Sequence, residues 1–305
     1  MYIIGTLQLG FIYSLLALGV FISFRVMNTP DLTADGSFTL GLCISAVCTI
    51  HGHPAAAIPA GLAAGAAAGA VTGFLQTKGG IHPILAGILT MTALYSINLF
   101  VMGGSPNLSL LGKPSMFTML QEFIKTEDRN TVRLLVTVFF TIVSIMFLAW
   151  FFKTGLGLRI RATGNNELMV RASSINTDAM RITAIALANS FIALSGVVLA
   201  QYQGYGDINS GTGIVIIGLA SVILGELFIR RGSIIFRLTA AALGAILYRF
   251  IIAFALYLNV FPAYMLKLLS AVIVALALAA PHLRICREQG KWRHLRTRKR
   301  NSEND

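Results

Sequence analysis

Asp31 and Asp35 are the only acidic residues before Glu122. They lie in NTPDLTADGSFTLG, Asn28 to Gly41, a polar stretch between two apolar runs. Within a membrane, paired acids of this kind could bind a proton or a sodium ion, which is the chemistry of a self-sufficient ion-coupled carrier. The stretch itself reads in two ways. As a turn, Pro30 ends one helix and Asp35 or Ser37 caps the next, a carboxylate being favoured at a helix amino terminus. As a break inside a bundle, the backbone from Asn28 to Gly36 lines a polar cavity, because unsatisfied amides cannot face lipid.

Other reactive constellations are missing from the sequence. No stretch fits G-x-x-x-x-G-K-[ST], so the chain carries no phosphate-cradling loop and is not itself an ATPase. There is no H-E-x-x-H, no G-x-S-x-G, and no nucleophile and base that would serve a membrane-embedded lipid or peptide enzyme. His51 and His53 flank a glycine, and two ligands do not make a metal site. Cys43, Cys48 and Cys286 are odd in number and fit neither a disulfide framework nor a zinc spacing, so they read as small apolar fillers. Neither a metal nor a cofactor is expected.

The elements that must position the acids are membrane helices. Hydrophobic residues make up 56% of the 305 positions and charged ones only 12%, against about a quarter charged in soluble domains. Apolar windows near the roughly 20 residues of a bilayer span fall at 2–24, 37–50, 54–76, 81–102, 134–152, 182–201, 213–229, 234–256 and 263–283. The expected fold is an all-α polytopic bundle of eight or nine spans, with residues 1–283 as one transmembrane domain. No Lys or Arg precedes Arg25, so the first window is expected to stay as a span and not to be cleaved.

Charge sets the expected orientation. Residues 284–305 form a basic tail of eight Lys or Arg against three acids, and residues 153–181 hold five against two. Beside a final span, such a tail reads as anchoring against anionic lipid and not as a nucleic-acid site. With this tail, the 153–181 loop and the Arg230-Arg231 turn in the cytoplasm, the amino terminus and residues 103–132, 204–212 and 259–262 fall outside.

Three further patterns stand out. Gly61, Gly65, Gly69 and Gly73 make one strip on a helix that another backbone can approach closely. Asp31 to Leu42 has an echo in DINSGTGIVIIGL, Asp207 to Leu219, entering from the opposite side. An inverted repeat with a polar pathway at its breaks would explain the echo, and so would chance. On this reading Asn28, Asp31, Asp35, Asp207 and Asn209 are the candidate pathway residues. In the 153–181 loop, Gly164 is expected to stop one helix and Asn165 or Asn166 to cap a short new one. Glu167 then stands in its first turn, and Leu168, Met169 and Val170 are exposed. Such an apolar knob needs either a protein partner or a lipid surface. Arg249 and Lys267 are charges in or near apolar spans.

The run TGLGLRIRATGNNELMVRASSIN resembles the coupling segment of permeases of ABC importers in the branched-chain amino-acid class. There a Gly-x-x-x-Arg-Ala-Thr-Gly-x-Asn pattern precedes the helix that docks into the ATPase. YSLLALGVFISFRVMNTPDLTADGSFTLG and GLASVILGELFIRRGSIIFRLTAAALGA resemble that family's first-span and late Gly-rich motifs, so the likeness spans essentially the whole chain. The Asp-Leu-Thr-x-Asp-Gly wording resembles most the tryptophan- or tyrosine-type permeases. The chain departs at Ser174, where the family often has Gly, and at Glu226, where it usually has a second Gly; Glu226 could pair with Arg230 one turn on. The resemblance implies a permease that passes an amino acid, working with two cytoplasmic ATPase subunits, an extracytoplasmic binding protein and a second permease copy. Gly164, Asn165, Asn166, Glu167, Leu168 and Met169 would be the coupling residues.

Overall fold

The computed structural model describes residues 2–124, 128–228 and 232–257, with positions 265, 268, 271, 272 and 275 beyond them. The rest of the 263–283 window, Lys267, Arg230-Arg231, the 259–262 turn, Cys286 and the basic tail lie outside the described residues. The regular structure among the described residues is helical apart from one short ribbon. Its helices are α1 (Tyr2–Phe21), α2 (Thr33–Ile50), α3 (Ala57–Thr77), α4 (Pro83–Val101), α5 (Met116–Ile124), α6 (Arg129–Phe151), α7 (Gly155–Asn165), α8 (Glu167–Ala172), α9 (Thr177–Gln203), α10 (Ile214–Phe228) and α11 (Ile234–Tyr257). Among the described residues eight helices are long and apolar enough to cross a bilayer, and they correspond to the first eight expected windows.

Burial separates a centre from a periphery. In the most apolar stretch of α1 and of α9, 78% of residues are buried, against 28% in α4 and 33% in α3 and α6. The outer helices instead turn large apolar side chains outward, such as Phe139, Met146 and Trp150 of α6. These suit lipid, which solvates apolar groups as well as a protein core does.

Close packing at the centre rests on small residues. The strip Gly61, Gly65, Gly69, Gly73 of α3 lies against Val197, Ala193, Ile185 and Ile182 of α9, and a Cβ at any of the four would come within 3 Å of a neighbouring atom. Gly41 of α2 faces the carbonyl of Ala193, and Gly196 of α9 faces that of Phe38. Glycine is required here for proximity, which is the use the strip implies in the sequence.

At one end, β1 (Asn107–Ser109) pairs antiparallel with β2 (Tyr205–Asp207). Side chains knit the same end together: Gln201 Nε2 donates to the Pro54 carbonyl at 2.9 Å, and its Oε1 accepts from the Met116 amide at 2.8 Å. The opposite end carries Arg25, Lys78, Lys153 and the α7–α8 segment, and is called here the basic end.

Candidate functional site

Helix α1 does not finish cleanly. It loosens into a π turn over Ile22–Val26, where the Met27 amide reaches the Ile22 carbonyl at 3.0 Å. Asn28 then takes the left-handed conformation, φ 53°, which Asn tolerates better than most residues. The chain runs non-helically to Thr33, where α2 starts. π turns and left-handed residues both mark functional sites more often than chance.

The depth of this break is set by Asp31. Its carboxylate is buried and accepts from the Thr33 amide at 2.9 Å and from Asn189 Nδ2 at 2.7 Å. Asn189 lies twelve residues after Thr177 and fourteen before Gln203, the middle of α9, about 18 Å from its start at 1.5 Å per residue. Thr33 Oγ1 also meets Thr72 Oγ1 of α3 at 2.8 Å. Asp31, Thr33 and Ala34 are buried inside the bundle and the 18-residue α2 begins halfway along its neighbour, whereas Asn28 is exposed and the stretch reaches a cavity only at Asp35 and Gly36.

Asp35 has a different task from the one expected of it. It does not cap its own helix: α2 has no side-chain cap, and its first free amide is served by Asp31. Instead Asp35 Oδ2 accepts from the Gly213 amide and Oδ1 from the Val215 amide, both at 2.9 Å, across 178 and 180 residues of sequence. These amides open α10, so the carboxylate answers the partial positive charge of that helix end. The starts of α2 and α10 therefore meet around Asp35. The segments whose sequences echo each other touch here.

Beside this junction is a cavity of about 270 Å³, between Asp35, Gly36 and Thr39 of α2, residues 91–98 of α4 and the 208–212 turn. It is at the small end for ligand cavities, about 300–1,000 Å³. Asp207 and Asn209 are not part of it: Asp207 Oδ1 accepts from the Asn209 amide at 3.0 Å and caps the short 3-10 turn Ile208–Gly211. A larger cavity of about 460 Å³ lies elsewhere, between α1 and α11, where Arg249 stacks 4.1 Å over the Tyr13 ring.

At the basic end, α7 and α8 form a bent unit. Asn166 is the cap of α8, with Oδ1 accepting from the Met169 amide at 3.1 Å. Its far end closes with the Ser174 amide on the Arg171 carbonyl and the Ile175 amide on the Val170 carbonyl, the double bond of a Schellman ending. Ser174 takes the left-handed φ of 58° that this ending needs. Glu167 accepts from Arg171 at 3.1 Å and Arg181 at 2.7 Å, and Asp178 meets Arg171 at 3.5 Å and Lys78 at 3.7 Å. This pins α8 to the start of α9 and the end of α3. Leu168 and Met169 stay outside the packing, at 81% and 66% exposure.

Residues 2–287 match the family described as branched-chain amino acid transport system / permease component. The chain belongs to this family. It is 34% identical over 284 residues to a tyrosine transport system permease protein of Clostridioides difficile (strain R20291), covering 93% of this chain and 92% of that one. It is also 30% identical over 282 residues to an uncharacterized protein of Rickettsia prowazekii (strain Madrid E), covering 91% and 97%. A shorter stretch of 108 residues, 35% of this chain and 30% of the other, is 34% identical to an autoinducer 2 import system permease protein of Escherichia coli O157:H7. No solved structure matches. The chain is thus a transmembrane permease subunit of an ABC-type importer, and membership in the family decides against the self-sufficient carrier.

Several expectations for the permease need correction. Gly164 does not stop a helix; it lies inside α7, where an added Cβ would collide with the Val26 carbonyl. Its small size serves contact with the residue just before the break, a reason no local signal reveals. Asn165 ends α7 exposed, and the cap is Asn166 alone. Val170 is not part of the exposed knob but is 3% exposed, because the six-residue helix has only one inward face. Glu226 pairs with Arg25 of the π turn after α1; its expected pairing with Arg230 lies outside the described residues. Sequence reading missed Asn189, Asn98 and Thr72. Polar residues within apolar windows were the available signal, since a bundle interior is where such groups find partners.

Proposed function

We propose that this permease carries an amino acid with an aromatic side chain inward, with ATP hydrolysis on separate cytoplasmic subunits and first selection by an extracytoplasmic binding protein. The name of the Clostridioides difficile relative supports the aromatic cargo. The basic end then faces the cytoplasm and the β1–β2 end faces out, as the positive-inside rule requires. Two copies work together in a homodimer, in line with the cyclic symmetry usual for such assemblies.

The observation that carries the coupling assignment is the exposed pair Leu168 and Met169 on a helix held rigidly from behind. Asn165 to Met169 form the surface gripped by the ATPase, with Asn165 at its rim, and Gly164 completes the coupling unit as their seat. Behind them α7 rests through Gly164 on the backbone of Val26. A push on α8 therefore reaches the last turn before the break at Asn28–Leu32. Asn28, Asp31 and Asp35 lie along the inner pathway, and Asp207 and Asn209 shape its outer gate. For near-complete switching, ATP binding must favour one arrangement by about 5 kcal/mol.

The test is reconstitution. The permease, an ATPase subunit and a binding protein of the same transport class from its own organism, and labelled L-tyrosine are combined in vesicles. ATP-dependent accumulation that disappears when either partner is left out is the expected result. Accumulation by the permease alone, driven by an ion gradient, would overturn the assignment.

A further inference from the structure

We propose that the cavity between α2, α4 and the 208–212 turn binds the primary ammonium group of the solute, with Asn98 as its hydrogen-bond acceptor and Asp35 as its counter-charge. This rests on the importer reading above and adds a residue-level site to it.

Asn98 carries the argument. It is 1% exposed, in α4, a helix otherwise turned largely outward. Its Nδ2 donates to the Gly36 carbonyl at 3.3 Å. Only the amide nitrogen can donate to a carbonyl, so the orientation of the group is chosen and Oδ1 must point away. That oxygen is buried and has no hydrogen-bond partner among the described residues. A buried acceptor without a donor is costly, and because Asn98 lines this cavity a donor entering it would relieve that cost.

The rest of the wall has the same polarity. Thr39 Oγ1 already donates to the Asp35 carbonyl at 2.9 Å and Thr92 Oγ1 to the Ile88 carbonyl at 2.8 Å, so each hydroxyl has its lone pairs left to offer. Asp35 adds a carboxylate, and no Lys or Arg is among the described lining residues. A solute carboxylate would find almost no donor here, whereas an ammonium, with three donors and one positive charge, suits the acceptors at Asp35, Thr39, Thr92 and Asn98. Tyr95 stands at the mouth, 53% exposed, where its ring can face a cation or another ring.

Thr92→Cys, at the mouth, gives a readout that does not depend on transport. The full chain is reconstituted in vesicles of phosphatidylcholine and phosphatidylglycerol, which hold no primary ammonium, and wild type provides the baseline for Cys43, Cys48 and Cys286. A cationic methanethiosulfonate should react faster than an anionic one, relative to their ratio on a free thiol. Tyramine and L-tyrosine should slow the reaction by about tenfold at roughly ten times their Kd, as simple occupancy requires. 3-(4-Hydroxyphenyl)propionate, which lacks the ammonium, should not. Asn98→Leu should abolish the protection. If that variant fails to insert, the charge preference and the protection in Thr92→Cys alone decide.

Equal protection by the propionate, or none by tyramine, would overturn the site. Protection by phosphatidylethanolamine added to the vesicles, with none by the free amines, would assign the cavity to lipid and equally overturn it. Normal ATP-driven uptake without protection removes the site and leaves the importer. Protection without ATP-driven uptake does the reverse.

Discussion

Single residues in this permease act across long stretches of sequence. Asp35 holds the first amides of α10 at 2.9 Å each. Asp35→Ala leaves both without their acceptor and should cost about 1–3 kcal/mol, since buried amides lose their full solvation. Asp35→Asn retains one acceptor oxygen and should lose roughly half as much. Thermal unfolding in detergent measures both, and an unchanged midpoint for the alanine variant would mean that Asp35 does not hold the two helix ends together. Ser174 gives the opposite sign. It occupies a left-handed position, φ 58°, that suits Gly, so Ser174→Gly should raise stability by about 0.5–1 kcal/mol. A lower unfolding temperature would contradict the Schellman ending of α8. The departure from the family at this position was visible in the sequence. The conformation was not, because φ follows from how Val170 and Ile175 pack.

At the scale of elements, α8 is the part whose surface and support separate most clearly. Leu168 and Met169 face solvent while Val170 faces the protein. Replacing Leu168 and Met169 with Asp should leave insertion and the unfolding temperature nearly unchanged, within about 0.5 kcal/mol as for surface substitutions. It should also abolish co-purification with the ATPase. Normal ATPase capture by the double variant would remove α8 from the coupling role. The exposed ion pairs behind α8 are each worth little, about 0–1 kcal/mol, so the unit relies on the network around Glu167 and on the Gly164 contact. Helix periods and capping residues made α8 readable in advance. The partner of Gly164 was unreadable, because Val26 is 138 positions away and a glycine gives no sign of what it lies against.

For the whole molecule, orientation is the prediction that belongs to no single helix. A cysteine at Leu168 should react with a membrane-impermeant maleimide only after cells are permeabilised, and one at His53 in intact cells. Reversal of the two would invert every assignment of gate and coupling surface. The side each end is expected to face is a matter of charge, and charge is written directly in the sequence. So are the number of spans through residue 257 and the glycine strip, because each depends on composition or on spacing within one segment; at Asn28–Gly36 the sequence left both a turn and a break open. The meeting of the α2 and α10 starts around Asp35, the depth of Asp31 opposite Asn189, and the cavity under Asn98 came only from the tertiary structure. Each of these joins segments 62 to 180 residues apart. In a membrane nearly every segment is apolar, so hydrophobic pattern cannot rank one helix pairing above another, and a few buried hydrogen bonds and gaps without side chains make the choice.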